Sequence, residues 1–199
     1  PFRYTVRDAA NSGDWSKLEN ASNAPLINSR QFRQYAVTFV ENHDTQMRSA
    51  SEPLDPIKKD TLAANAYLLA MPGTPCVFYR HWLDHKQAIK AMIEVRRAAG
   101  IVNTSVPTIV SREPKQYVVS VAGTKGTLLC VLGDEAENYA PDATKYVKVL
   151  SGLHCAYFLS RSTKTLLLDK PSGEYEAAFT AKVTSVSESE QTLGRDLLP

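Results

Sequence analysis

The chain has 199 residues, 43% hydrophobic and 22% charged, with a formal net charge of +2. That is the composition of an ordinary soluble globular protein, long enough to bury a real core. Lys and Arg are scattered among Asp and Glu and form no stripe for a polyanion, so nucleic acid is set aside as a partner. No apolar run approaches the roughly 20 residues of a bilayer span, so no membrane segment is expected. No signal peptide opens the chain: "PFRYTVRDAA" reads as the middle of a structured protein, any export signal would lie upstream of it, and the compartment stays unassigned.

In chain order, Phe2 to Val6 reads as a short strand, and "DAANSGDWSKLENA" as a weak helix beginning near Asp8. Tyr35 to Glu41 is a second strand, whose Val37 to Val40 core of Val, Thr, Phe and Val suits burial on both faces. Pro56 to Met71 places Leu62, Ala66, Leu69 and Ala70 on one helical face, and Pro72-Gly73 stops it. "TPCVFY" is a third strand, followed by the helix "DHKQAIKAMIEVRRAAG", closed by Gly100. The order β-α-β-α-β-α implies parallel strands with right-handed crossovers. Beyond Gly100 the texture changes to short β-rich runs, "QYVVSVAG", "GTLLCVLG", "KYVKVL", "CAYFLS" and "EYEAAFTAKVTSV". Their spacing argues for an antiparallel sandwich or Greek key, with "SESEQTLGRDLLP" as a polar tail. The boundary falls near Val102 to Pro107, dividing the chain into 1–103, 104–187 and the tail 188–199.

Cys76, Cys130 and Cys155 have no metal-ligand spacing and read as buried free thiols, with a Cys130–Cys155 bridge open if the protein is secreted. His81 and His85 lie four apart with Asp84 before the second, but no third ligand accompanies them, and no metal is assigned.

The stretch "YAVTFVENHDTQ" runs from a buried strand straight into four polar residues, Glu41 to Asp44. In parallel α/β folds the carboxyl ends of strands carry the chemistry, so this cluster is a candidate site. The alternative is an ordinary turn or helix cap built on Asn42 and Asp44. "VTFVENHDTQ" resembles the strand-seven motif F-x-D/E-N-H-D of the α-amylase family, retaining glycoside hydrolases on a (β/α)8 barrel. "AYLLAMPGTPCVFYRHW" is similar to that family's seventh helix and eighth strand, and "AIKAMIEVRRAAGI" to its final barrel helix. The resemblance covers Phe2 to about Ser160 and is strong over 36–100. It implies an α/β unit followed by an all-β one: the last three β/α units of the barrel, strands six to eight, and a C-terminal antiparallel β-sandwich.

The resemblance further implies that Asp44 stabilises the transition state by gripping sugar hydroxyls, that His43 donates a hydrogen bond to the same sugar, and that Asn42 shapes the turn. Tyr79, His81 and Trp82 are implied to line the sugar cleft, although Trp82 could equally pack under its helix; Glu41 could face the barrel or the packing behind the site. The nucleophile and the general acid of a retaining glycosidase have no counterpart. Arg7-Asp8-Ala9 is superficially like the nucleophile motif, but its Arg and Asp are adjacent rather than one residue apart, and Asp8 reads as a helix start. The implied function is the C-terminal part of an enzyme acting on α-1,4-glucans, inactive alone, with no cofactor in this chain and calcium possible in the missing part. Three strands cannot close a barrel, so self-association through the open edge is a further expectation. The alternatives are a non-catalytic glucan-binding or assembly module, with Tyr117, Tyr146 and Tyr157 as a stacking face, and a fragment of a related glucan transferase or isomerase.

Overall fold

A computed structural model describes residues 2–19, 25–46 and 55–163. Helix α1 (Phe2–Ser12) occupies the stretch expected to be a strand and then a helix start. Phe2, Val6, Ala9 and Ala10 recur at helical spacing and are all buried, a pattern that a strand would scatter over both faces. Gly13, at φ +71°, ends the helix with its N–H on Ala9 O at 2.9 Å. A 3-10 turn (Trp15–Glu19) follows and buries Trp15 and Leu18.

The expected strands contract. Strand β1 is only Val37–Thr38 and β2 only Thr74–Pro75, and they pair in parallel with Val37 opposite Thr74. Gly73 makes this pairing possible. It sits at φ +88°, and a Cβ there would fall 2.9 Å from Ala36 O, the carbonyl that receives Thr74 N–H.

Helix α2 (Thr61–Ala70) is buried at every position after Thr61, so it is a central helix rather than a one-faced surface one. It packs against α1, against α4 (Lys86–Ala99) and against the β-rich half. A short helix α3 (Tyr79–Asp84) precedes α4, and Gly100 at φ +70° closes α4 as read from the sequence. Arg96 of α4 is buried and donates to the carbonyls of Leu69 at 2.8 Å, Met71 at 2.6 Å and Gly73 at 3.1 Å. One side chain thus satisfies a carbonyl that the end of α2 leaves open and two more in the segment that follows.

The remaining strands are β3 (Val106–Glu113), β4 (Gln116–Ala122), β5 (Thr127–Leu132), β6 (Tyr146–Gly152) and β7 (Cys155–Ser160). They form one antiparallel sheet in the order β3-β4-β5-β7-β6. Of the expected β runs, "EYEAAFTAKVTSV" lies outside the described residues, as does the tail. Among the described residues the β-rich half is a single sheet, with no second sheet facing it. Its inner face, including Tyr117, Val119, Cys130 and Tyr157, joins the helices in one continuous core. Its outer face buries Val118, Leu129, Val131 and Phe158 under Ala136 and the half-buried Tyr139 and Tyr146. Both faces are therefore covered, which accounts for apolar runs without alternation.

Candidate functional site

The chain leaves β1 through Phe39 and the fully buried Val40, and reaches Glu41 at 6% exposure. The next residue turns the chain. Asn42 Oδ1 accepts from the Asp44 N–H at 3.1 Å and from Thr45 Oγ1 at 3.0 Å, while the Thr45 and Gln46 N–H groups donate to Asn42 O at 3.2 and 3.1 Å. This is the Asx geometry that asparagine supplies. Its result is presentation: His43 and Asp44 project into solvent at 80% and 71% side-chain exposure, with His43 Nε2 3.3 Å from Asp44 Oδ1.

Asn42 and Asp44 also line a cavity of about 380 Å³, together with Arg3 and Tyr4 of α1 and Val37 and Phe39 beside them. An acceptor carboxylate, an amide and aromatic rings around one hollow suit a ligand that has both hydroxyls and apolar faces. Arg3 was not singled out from the sequence. It is 5% exposed, with Nη2 4.0 Å from Glu41 Oε1 and Nη1 3.7 Å from Asp55 Oδ2, and burial lowers its pKa. Its Nε has no hydrogen-bond partner among the described residues.

The other expected cleft residues lie outside the lining of this cavity. Tyr79 is exposed, and Trp82 is half-buried against the core with Lys86 Nζ 5.9 Å from its ring centroid. Neither lines the cavity. His81 is 5% exposed, with Nε2 3.2 Å from Glu41 Oε2 and Nδ1 3.1 Å from Asn65 Nδ2. It lies in the packing behind the turn, the place left open for Glu41. Asn65 was also missed, although a lone amide inside "TLAANAYLLA" is the kind of buried polar residue that calls for a partner. Beside this group, His85 is buried, its Nδ1 has no hydrogen-bond partner among the described residues, and its pKa is lowered to about 4 by burial and then by the neighbouring His81, against Asp84.

Asp8 does not start a helix but sits within α1, where Arg7 Nε and Nη2 hold its Oδ1 at 2.9 and 2.6 Å. Tyr117 and Tyr157 are fully buried, which removes two of the three rings of the supposed stacking face. Cys130 and Cys155 are buried and free as expected, whereas Cys76 is exposed. No helix among the described residues is long and apolar enough to cross a membrane.

An apolar strand end thus delivers an Asn-His-Asp turn to the wall of a cavity, and comparison with known proteins supplies the family. No family model matches the sequence. The chain is 31% identical over 160 residues to "Probable alpha-amylase 2" of Arabidopsis thaliana, covering 76% of this chain and 37% of that protein. It is 30% identical over 146 residues to the glucan 1,4-alpha-maltotetraohydrolase of Stutzerimonas stutzeri, covering 69% of this chain and 26% of that one. A solved structure of an AmyP variant in complex with maltotriose superposes with a TM-score of 0.57 at 14% identity, over 82% of this chain and 50% of that chain. The chain belongs to the alpha-amylase family and corresponds to a C-terminal portion of such a protein. It spans only 37% and 26% of the two curated relatives named.

Proposed function

We propose that this chain supplies one wall of the substrate site of an α-amylase-type hydrolase that acts on α-1,4-glucans with retention. The observation that carries the reading is the placement of Asn42 and Asp44 on the wall of the cavity beyond parallel strand β1. In this reading β1 and β2 are strands seven and eight of a (β/α)8 barrel, residues 1–103 form the barrel part, and the sheet from Val106 onward begins the C-terminal domain.

Asp44 is acceptor-only when ionised, and its side chain is exposed. It holds two sugar hydroxyls as the ring distorts toward the oxocarbenium-like state, and His43, 3.3 Å away, donates to a neighbouring hydroxyl. Tyr79 and Trp82 extend the sugar contact beyond the cavity. The nucleophile and general acid come from polypeptide outside this chain, so the chain alone releases no sugar. Polypeptide outside the chain, or a second copy, also covers the free edge of β1, where Val37 and Tyr35 are 67% and 71% exposed.

The test is reducing-end release from soluble starch by the 199-residue chain and by a longer protein carrying the upstream barrel, each with and without Asp44→Asn. The chain should be silent. The longer protein should lose activity by about 100-fold or more on Asp44→Asn, the size typical of removing one transition-state contact. Near-complete retention of activity in that variant would sink the assignment of Asp44, and hydrolysis by the chain alone would sink the split of the carboxylates.

A further inference from the structure

Behind the Asn42 turn lies a chain of polar side chains whose proton positions follow from geometry, with Asn65 Oδ1 unbonded among the described residues. Asn65 Nδ2 donates to Thr61 O at 2.8 Å, and because a carbonyl can only accept, the amide orientation is fixed. The same Nδ2 faces His81 Nδ1 at 3.1 Å, so Nδ1 is the acceptor and the ring proton sits on Nε2. That N–H meets Glu41 Oε2 at 3.2 Å, while Glu41 Oε1 receives the Ile57 N–H at 2.9 Å. Both oxygens of Glu41 therefore face donors, with Arg3 Nη2 4.0 Å from Oε1. Only a carboxylate satisfies two donors at once; a glutamine would set its own NH₂ against one of them.

We propose that Glu41, with His81 as its donor, is a positioning residue that sets the Asn42–Thr45 turn and thereby the place of Asp44. The mechanism is local. Glu41 is tied to the segment at Ile57 and to α3 at His81, and its carbonyl carbon is bonded to the Asn42 nitrogen. That N–H donates to Thr45 Oγ1 at 3.1 Å, and the Asn42 side chain in turn receives the Asp44 N–H. Fixing residue 41 from two sides fixes the first residue of the turn. The inference rests on the reading of Asp44 as a site residue, but its test needs no sugar.

The test uses the 199-residue chain, uniformly labelled with ¹⁵N, as the wild type and as the Glu41→Gln and His81→Phe variants. Long-range ¹H–¹⁵N spectra of the imidazoles report the His81 tautomer, and amide exchange reports the Asp44 N–H bond to Asn42. The wild type should carry the His81 proton on Nε2. Both variants should shift the Asp44 and Thr45 amides and speed Asp44 exchange by about tenfold, while amides of β5 and β7 keep their protection. A His81 proton on Nδ1 in the wild type overturns the proposal. So does an unchanged Asp44 amide in variants whose His81 or Ile57 signals have changed. If Glu41→Gln does not fold, His81→Phe decides; if neither folds, the network holds the fold rather than the turn and the proposal fails. Starch activity independent of Asp44, combined with a turn that responds as expected, would remove the functional reading and leave the positioning role standing.

Discussion

Asp60 and His154 meet across 94 positions of sequence, with His154 Nδ1 2.8 Å from Asp60 Oδ1, and each holds a left-handed backbone at φ 56°. Asp60 opens α2 and is buried; His154 sits in the turn between β6 and β7 and reaches Asp134 Oδ1 at 3.5 Å with its other nitrogen. Left-handed backbone at a residue other than glycine costs roughly 1 kcal/mol. Here the two costs are offset by one partly buried, charge-assisted hydrogen bond that joins the helices to the sheet.

That opposition makes a signed prediction. His154→Gly relaxes the backbone but leaves the Asp60 carboxylate buried without its partner, and the second effect is larger, about 1–3 kcal/mol. The single variant should therefore lose stability in urea. Asp60→Gly with His154→Gly should lose less than the sum of the single changes, and additive losses would show that the pair does not interact.

Arg96 should give a large stability effect for a single side chain. Its removal strands the carbonyls of Leu69, Met71 and Gly73 in the interior, next to the Gly73 approach on which β1–β2 pairing depends. Each unsatisfied group costs about 1–3 kcal/mol. Arg96→Met, which keeps the apolar stem, should destabilise the chain by roughly 3 kcal/mol or more, measured by urea denaturation. Arg96→Lys should recover only part of this, because one ammonium cannot span the fork that reaches all three carbonyls.

How much of this was readable in the sequence differs by element. The Gly100 stop, the pairing-prone runs of β4 to β7 and the Asn42 turn were legible because each rests on local chemistry: a left-handed glycine, buried β-branched runs, an Asx side chain. Phe2 to Val6 was misread because a five-residue window holding Phe, Tyr, Thr and Val looks like a strand, and only the extension to Ala9 and Ala10 exposes the helical period. Strand β3 was missed because it is an edge among the described residues: Ile109 and Val110 are exposed, Pro107 interrupts the run, and the pairing with β4 is what makes it a strand. His81 could not be assigned to the interior from spacing alone, since its partners Glu41 and Asn65 come from 40 and 16 positions away.

The three cysteines should separate cleanly by reactivity. Cys76 is exposed, whereas Cys130 and Cys155 are buried, and burial pushes the Cys155 thiol up to about 12 and that of Cys130 upward as well. The thiolate is the nucleophile, so neither buried group reacts at neutral pH unless the sheet opens. A native chain treated with a chromogenic disulfide at pH 8 should titrate one fast thiol, lost in Cys76→Ser, and all three only in denaturant. Two or three fast thiols in the native chain would mean that β5 and β7 are not packed as described.

Acid should weaken the fold through His85. Burial, aided by His81, lowers its pKa from 6.5 to about 4, while the unfolded chain keeps the ordinary value. Between those limits the unfolded state binds more protons, so stability falls as pH falls through this window and stops changing on this account below about 4. The shift corresponds to roughly 3 kcal/mol, fully present above pH 6.5. Urea midpoints between pH 7 and 4 should therefore decline, and His85→Gln should flatten that decline whatever its own effect on stability at pH 7. An equal slope in the variant would place the acid sensitivity in other groups.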